Sequence, residues 1–343
     1  MSELEQEKLL DKAFSHAIVG ECDQSEKILK GIPGENLAAR FNLGWHDLRH
    51  GKFLKGFEGL NAGRFIGVFG APAIPGRIWR DESLVGKTLL LRMEGGLGDE
   101  IINFRFAEHF REKGANVIIS AHSSLCPIFS AHGFCCVTEA AIPFTYYDYW
   151  VPAMSAPYVL GMDYESLPGK PYLNRPSTPR GDRLRIGLRW GGNVENKDVE
   201  HLRKVDAQQL IALSELVNAD FFSFQRDNDL ADVPFTDLRN EMTSWQRTAE
   251  LLGSMDLLIT SCTSVAHMAA AMGVRTWVLV PLLAYYTWAI PGPKSAWHDT
   301  VTLFRQRVPG SWDAPVKEIE RQLLHLAERA SLASAPGALI TLN

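Results

Sequence analysis

Through the first 31 residues apolar positions recur at helical spacing, and "GIPGEN" at 31–36 interrupts them with Gly and Pro, which predicts a helical pair. The next stretch, "NLAARFNLGWHDLRHGKFLKGFEGLNAGRF", has the helix-turn-helix spacing of a tetratricopeptide repeat. Leu43-Gly44 is followed by Gly51 and Phe53, with small Gly56 and Gly63 where paired helices must approach closely. One or two such units cannot bury their own apolar faces, so they are expected to dock on the rest of the chain. Residues 67–86, rich in Gly and Pro, read as a linker, with a domain boundary near 85. From there the period changes. Short apolar runs alternate with helical segments: "TLLLRM", a helix at 99–113, "NVIIS", a helix at 123–132, "FCCVTE" and "YDYWVP".

A second linker, "NRPSTPRGDR" at 174–183, precedes a restart of the alternation. Strand "LRIGLRW" leads to a helix at 206–217, then "ADFFSFQ", a helix at 245–253, "DLLITS", a helix at 263–272, "RTWVLVP" and a closing helix at 313–332. Strand–helix alternation of this kind predicts an α/β fold with parallel sheets. The expected organisation is a helical, tetratricopeptide-like extension at 1–70, a linker at 71–85, and two facing Rossmann-like domains at 86–176 and 177–343.

Composition narrows the function classes. The 343 residues are 46% hydrophobic and 22% charged, ordinary for a globular protein with a large core. A formal net charge of −5 argues against a broadly basic nucleic-acid surface. The charged start "MSELEQEKLLDK" lacks the apolar core of a signal peptide, and no apolar run is long enough to span a membrane, so a cytoplasmic location is expected. The five cysteines form no C-x-x-C pair or zinc-ligand spacing and are expected to be reduced structural thiols.

Three segments carry candidate chemistry. In an open α/β sheet, ligands bind at the carboxyl ends of strands, where helix N-termini favour anions. "EGGLGDE", 94–100, lies at such a place, between "KTLLLRM" and a helical segment. Gly95, Gly96 and Gly98 would let a substrate approach the backbone, but Asp99 and Glu100 would repel a phosphate. The loop is therefore read as an acceptor loop, with Asp99 either a general base or an ordinary first-turn carboxylate complementing the helix dipole. "LLITSCTSVAHMAAAMGVRTWVLV" joins a strand to a small-residue helix through a Ser/Cys/Thr/Ser turn. Thr263, Ser264 and Val265 would offer hydroxyls and N–H groups to a diphosphate, with His267 one turn on. "RWGGNVENKDVEHLRK" places Gly191, Asn193, Lys197, Arg203 and Lys204 after the strand that opens the second α/β unit. Its cations suit an anionic leaving group, although a solvated basic loop would look the same.

Taken in order, "WRDESLVGKTLLLRMEGGLGDEI", "IGLRWGGNVENKDVEHLRKVDAQQL", "FFSFQ", "DLLITSCTSVAHMAAAMGVRTWVLVP", "YYTWAIPGPKSAWHDTVTLFRQ" and "GSWDAPV" resemble the tetratricopeptide-linked glycosyltransferases related to the ADP-heptose:lipopolysaccharide heptosyltransferases, which have the GT-B fold. The resemblance spans most of residues 78–320. It implies that Asp99 is the base, that Lys197 meets the donor phosphates, and that Thr263, Ser264, Val265 and His267 hold the diphosphate. One departure is Cys262, where heptosyltransferases usually carry Asp just before that Thr.

The activity so implied is inverting, metal-independent transfer of a sugar from a nucleotide-sugar donor to an acceptor hydroxyl, with no cofactor. Gln225, Tyr285, Tyr286 and Trp288 are the candidates for base and sugar recognition, with a place in the core as the alternative for the aromatics. Asp227-Asn228-Asp229 forms a D-x-D, the metal signature of the other major glycosyltransferase fold, and is read as a solvated loop. The acceptor class stays open among a glycan such as lipopolysaccharide, a protein and a DNA base. The competing class is a non-catalytic repeat-bearing scaffold with a degenerate transferase body.

Overall fold

The computed structural model describes residues 1–69, 74–177, 183–192, 201–226 and 232–333. The chain divides into two compact units: Met1–Leu173 together with Ala284–Asp299, and Asn174–Leu283 together with the chain from Thr300 onward. The sequence reading placed the crossing at 176/177 and kept all later residues in one domain. Instead the chain leaves the second unit after Leu283, contributes sixteen residues, 284–299, to the first, and returns at Thr300.

The first unit begins with four helices, α1 Glu3–Ile18, α2 Cys22–Lys30, α3 Leu37–Arg49 and α4 Phe53–Phe65. Ser2 and Glu5 form a capping box on α1, and Asn36 caps α3 by accepting from the Ala39 N–H at 2.9 Å. Ala13, Leu29, Ile32 and Ala39 close a small core across α1, α2 and α3. The hairpin of α3 and α4 packs backbone on backbone. A Cβ added at Gly44 would lie 2.7 Å from the Gly56 carbonyl oxygen, and one at Gly63 would lie 2.6 Å from the Phe41 ring. Small residues are needed there for the reason expected.

Behind the hairpin is a parallel sheet in the order β1-β5-β2-β3-β4, built from β1 Arg77–Ile78, β2 Thr88–Arg92, β3 Asn116–Ser120, β4 Cys135–Val137 and β5 Tyr149–Pro152. β1 falls in the expected linker. Its two residues are exposed and pair with Tyr149 and Trp150, so no apolar pattern announces it. The helix expected at 99–113 is two, α5 Leu97–Phe104 and α6 Phe106–Glu112. The break is at Arg105, whose buried guanidinium bonds the carbonyls of Ile102 at 2.9 Å, Pro168 at 2.8 Å and Trp297 at 2.6 Å. A helix end leaves carbonyls without partners, and Arg105 supplies one while fastening segment 284–299 to the unit. Helix α7, Cys126–Ala131, brings Cys126 to Cys136 on β4, and the two form a disulfide. The expectation of five reduced thiols is thereby corrected for this pair, because the β3–α7 turn and β4 place their Cα atoms 5.3 Å apart.

The second unit is a parallel sheet in the order β11-β10-β9-β6-β7-β8. Its strands are β6 Arg185–Arg189, β7 Asp220–Ser223, β8 Thr236–Asp237, β9 Leu257–Ser261, β10 Thr276–Val280 and β11 Val301–Arg305. After the short helix α8, Ala156–Val159, of the first unit, the helices here are α9 Ala207–Ile211, α10 Trp245–Gly253, α11 Ser264–Ala271 and α12 Asp313–Ala333. Ile186, Leu188, Leu257, Ile259 and Leu279 from the strands pack with Trp312, Val316, Ile319 and Leu323 around α12. The architecture is the expected α/β one, two parallel sheets with flanking helices and a helical N-terminal region. No helix among the described residues is long and apolar enough to cross a membrane.

Candidate functional site

In the first sheet, strand order reverses at β2, which has β3 on one side and β5 on the other. The carboxyl end of β2 is therefore the switch point where ligands of open α/β sheets bind. The loop there carries "EGGLGDE". Gly95 has φ +78°, and a Cβ on it would lie 2.7 Å from Asp99 Oδ2, so this position needs glycine for the backbone and for the carboxylate. Gly95 and Gly96 are exposed and Gly98 is half-buried.

Gly96 is the N-cap of α5, and its N–H donates to Asp99 Oδ2 at 2.9 Å. Asp99 Oδ1 accepts from the Tyr285 hydroxyl at 2.5 Å. The carboxylate thus does what a first-turn cap does and is also pinned by a side chain from segment 284–299. Burial pushes its pKa up to about 6, against the opposing pull of the hydrogen bonds from Tyr285 and Gly96. Tyr286 also favours the charged form, although its buried hydroxyl makes no hydrogen bond of normal geometry. Burial raises the Tyr286 pKa well above its usual value, so it stays neutral.

The neighbouring carboxylates differ in kind. Glu100 accepts from the His122 N–H at 2.9 and 3.2 Å, and burial, aided by the charge of Asp99, lifts it to about 7. Glu94 is committed elsewhere. Arg64 of α4 grips it through two bonds of 2.8 and 2.9 Å and also reaches Ser155 Oγ at 2.9 Å, while the Met154 N–H adds a bond of 3.3 Å. Glu94 therefore ties the helical hairpin to the sheet. Sequence reasoning missed Arg64 and Arg105, whose partners are remote in the chain.

In the second sheet, order reverses at β6, flanked by β7 and β9. Gly191, the Cys262–Val265 turn and Gln225 all lie at the carboxyl ends of these three strands. Gln225 is buried, and its Oε1 accepts from the N–H groups of Trp190 and Gly191 at 3.3 and 3.1 Å. Its carboxamide oxygen therefore shapes the glycine turn at the end of β6. Arg189 bonds the carbonyls of Gly191 at 3.0 Å and Phe224 at 2.8 Å, bracing the same turn. Arg203 Nη1 donates to the Cys262 carbonyl at 3.2 Å, which brings one of the expected cations to the start of α11. Thr263 is the N-cap of α11, Ser264 and Val265 open its first turn, and His267 is buried one turn along. Asn193, Lys197 and the triplet 227–229 lie outside the described residues.

Tyr285, Tyr286 and Trp288 belong to the segment packed in the first unit, and Tyr286 and Trp288 are 1% exposed. Among the described residues no three His, Cys, Asp or Glu side chains cluster as metal ligands.

No protein-family model matches the sequence, and no curated protein does. Among solved structures the chain is similar to the dodecameric iron-containing glycosyltransferase TibC from enterotoxigenic E. coli H10407, with 14% identity, 72% of this chain and 69% of that chain covered, and a TM-score of 0.46. It is also similar to heptosyltransferase TibC in complex with ADP-D-β-D-heptose, with 12% identity, 74% and 78% covered, and a TM-score of 0.48. A third similarity is to E. coli ADP-heptose lipopolysaccharide heptosyltransferase II, with 13% identity, 71% and 99% covered, and a TM-score of 0.48. The described residues form two parallel α/β sheets, each with sequence-nominated residues at its switch point.

Proposed function

We propose that the protein is a nucleotide-sugar glycosyltransferase of the GT-B type in which Asp99 is the general base. The observation that carries this reading is the Asp99 carboxylate itself: buried at the head of α5, fixed by the Gly96 N–H and the Tyr285 hydroxyl, and lifted by burial to about 6. A base works best when its pKa lies near the working pH, because it is then both ionised and willing to take a proton.

In this reading the acceptor hydroxyl gives its proton to Asp99 as its oxygen bonds to the anomeric carbon. The bond from that carbon to the diphosphate oxygen breaks, and the configuration inverts. The diphosphate is assigned to the turn at the head of α11. The first N–H groups of α11, at Ser264 and Val265, have no intrahelical partners and point where negative charge is favoured. Lys197 and His267 are assigned to the departing phosphates, Gly191 and Asn193 to the donor, and no metal or cofactor is assigned. The acceptor assigned is a glycan hydroxyl.

Thermal unfolding with UDP, GDP, ADP, CMP and dTDP, and then with their sugars, tests the donor half of this reading. One nucleotide series should raise the unfolding temperature, and its sugar conjugate should release the nucleotide product slowly in the presence of water alone. If none of the nucleotides binds, the reading fails. Binding without any release on a broad panel of glycan acceptors would instead mark a non-catalytic scaffold.

A further inference from the structure

We infer that Tyr285 is the positioning residue of Asp99, and that Trp45 of the N-terminal helical hairpin holds Tyr285 in place. The inference rests on the reading of Asp99 as the base. Asp99 sits in the contiguous part of the first unit, whereas Tyr285 arrives on the sixteen-residue segment that leaves the second unit's sequence between β10 and β11. Its hydroxyl donates to Oδ1 at 2.5 Å while the Gly96 N–H holds Oδ2 at 2.9 Å, so each oxygen has one fixed donor and the carboxylate cannot rotate without losing one. The Trp45 ring lies 5.5 Å from that of Tyr285 and 6.1 Å from that of Tyr286, and the two tyrosine rings are 4.7 Å apart. The helical hairpin thereby reaches the base through the contact of Trp45 with Tyr285. This gives the N-terminal helices a share in the chemistry beyond covering an apolar face.

Among the described residues the charged and titratable groups around Asp99 are few. Glu100 is the next residue on α5, Tyr285 and Tyr286 come from the inserted segment, and Arg105, whose charge reaches Tyr286, follows the end of α5. Glu94 on the preceding loop is neutralised by Arg64 of α4. With no cation bonded to the Asp99 carboxylate in this group, the hydroxyl of Tyr285 is the main side-chain support of its charged form. A hydrogen bond to a charged oxygen corresponds to about 1 to 2 pH units of proton affinity.

The test reads Asp99 without substrate. Protein labelled with ¹³C at the aspartate carboxyl carbon is titrated by NMR, and the Asp99 signal is identified by its loss in Asp99→Asn. The wild-type midpoint should fall near 6. In Tyr285→Phe it should rise by about 1 to 2 pH units, and in Trp45→Leu by a smaller amount in the same direction. A fluorinated tyrosine at position 285, a stronger donor, should move the midpoint down, which keeps the test open if the phenylalanine variant folds poorly. An unmoved midpoint in folded Tyr285→Phe, or an unmoved one with the fluorinated residue, overturns the assignment. In turnover, Tyr285→Phe should lose rate at pH 7, where the ionised fraction falls from about nine-tenths to between about a half and a tenth, and recover toward pH 9. Asp99→Asn should not recover. A shifted midpoint in a protein that releases nucleotide from no donor supports Tyr285 as the partner of Asp99 and overturns the glycosyltransferase reading instead.

Discussion

Asp99→Asn should make the protein more stable at neutral pH and change little in acid. The folded-state pKa of Asp99 is raised from 3.8 to about 6, so the folded protein holds a proton through a range where the unfolded chain has released it. With the folded state binding more protons, stability falls as pH rises from about 4 to about 6, and above that the ionised, buried carboxylate is a constant cost. A shift of about 2 pH units corresponds to about 3 kcal/mol. Asparagine keeps an oxygen for the Gly96 N–H and presents an amide to the Tyr285 oxygen, so most of the geometry survives. The expected gain is about 2 to 3 kcal/mol at pH 8 relative to pH 4, enhanced because removing the Asp99 charge also relaxes Glu100. Calorimetric unfolding of wild type and variant across this range is the assay. An equal difference in melting temperature at pH 4 and pH 8, or a loss of stability at pH 8 of the size of an ordinary helix cap, would refute the burial argument.

Other expectations follow from single contacts. Arg64→Met leaves the 1%-exposed Glu94 side chain without its guanidinium and should cost about 3 to 5 kcal/mol in chemical denaturation, whereas Arg64→Met with Glu94→Leu should recover most of the loss. Gly44→Ala forces a methyl group to within 2.7 Å of the Gly56 carbonyl and should cost about 1 to 3 kcal/mol, while Gly34→Ala, with nothing within 4 Å, should leave the melting temperature nearly unchanged. Ser264→Pro removes one first-turn N–H at a helix position that tolerates proline. Donor affinity, read by calorimetric titration, should drop by about 1.5 to 3 kcal/mol with α11 and the fold intact.

Much of the fold was legible because each long element has its own period. Helix α10 occupies the predicted 245–253, and the strands from "TLLLRM" to "RTWVLVP" follow their apolar runs. What escaped had no local signal. β1 and β8 are two-residue edge strands, and the break at Arg105 depends on carbonyls of Pro168 and Trp297, far along the chain. The return of 284–299 to the first unit could not be read from its aromatics, which look alike whether they face a ligand or a core. Asp99 was legible as a residue, since a glycine-rich strand–helix turn with an acid is a recognisable pattern. Its partner Tyr285, 186 positions away, was not. For Gln225, the place just after β7 was readable, whereas its bonds to two backbone N–H groups were not.

The central claim is that a buried, fixed Asp99 takes the acceptor's proton during sugar transfer. Its most direct test is nucleotide release by wild type and Asp99→Asn, measured with the donor series that stabilises the protein and with donor affinity determined for both. The account predicts equal donor affinity and a rate lower by about 10²- to 10⁴-fold in the variant at pH 7 and above, the difference narrowing as pH falls below about 6 and the wild-type base is protonated. Near-normal turnover by Asp99→Asn at unchanged donor affinity would contradict it.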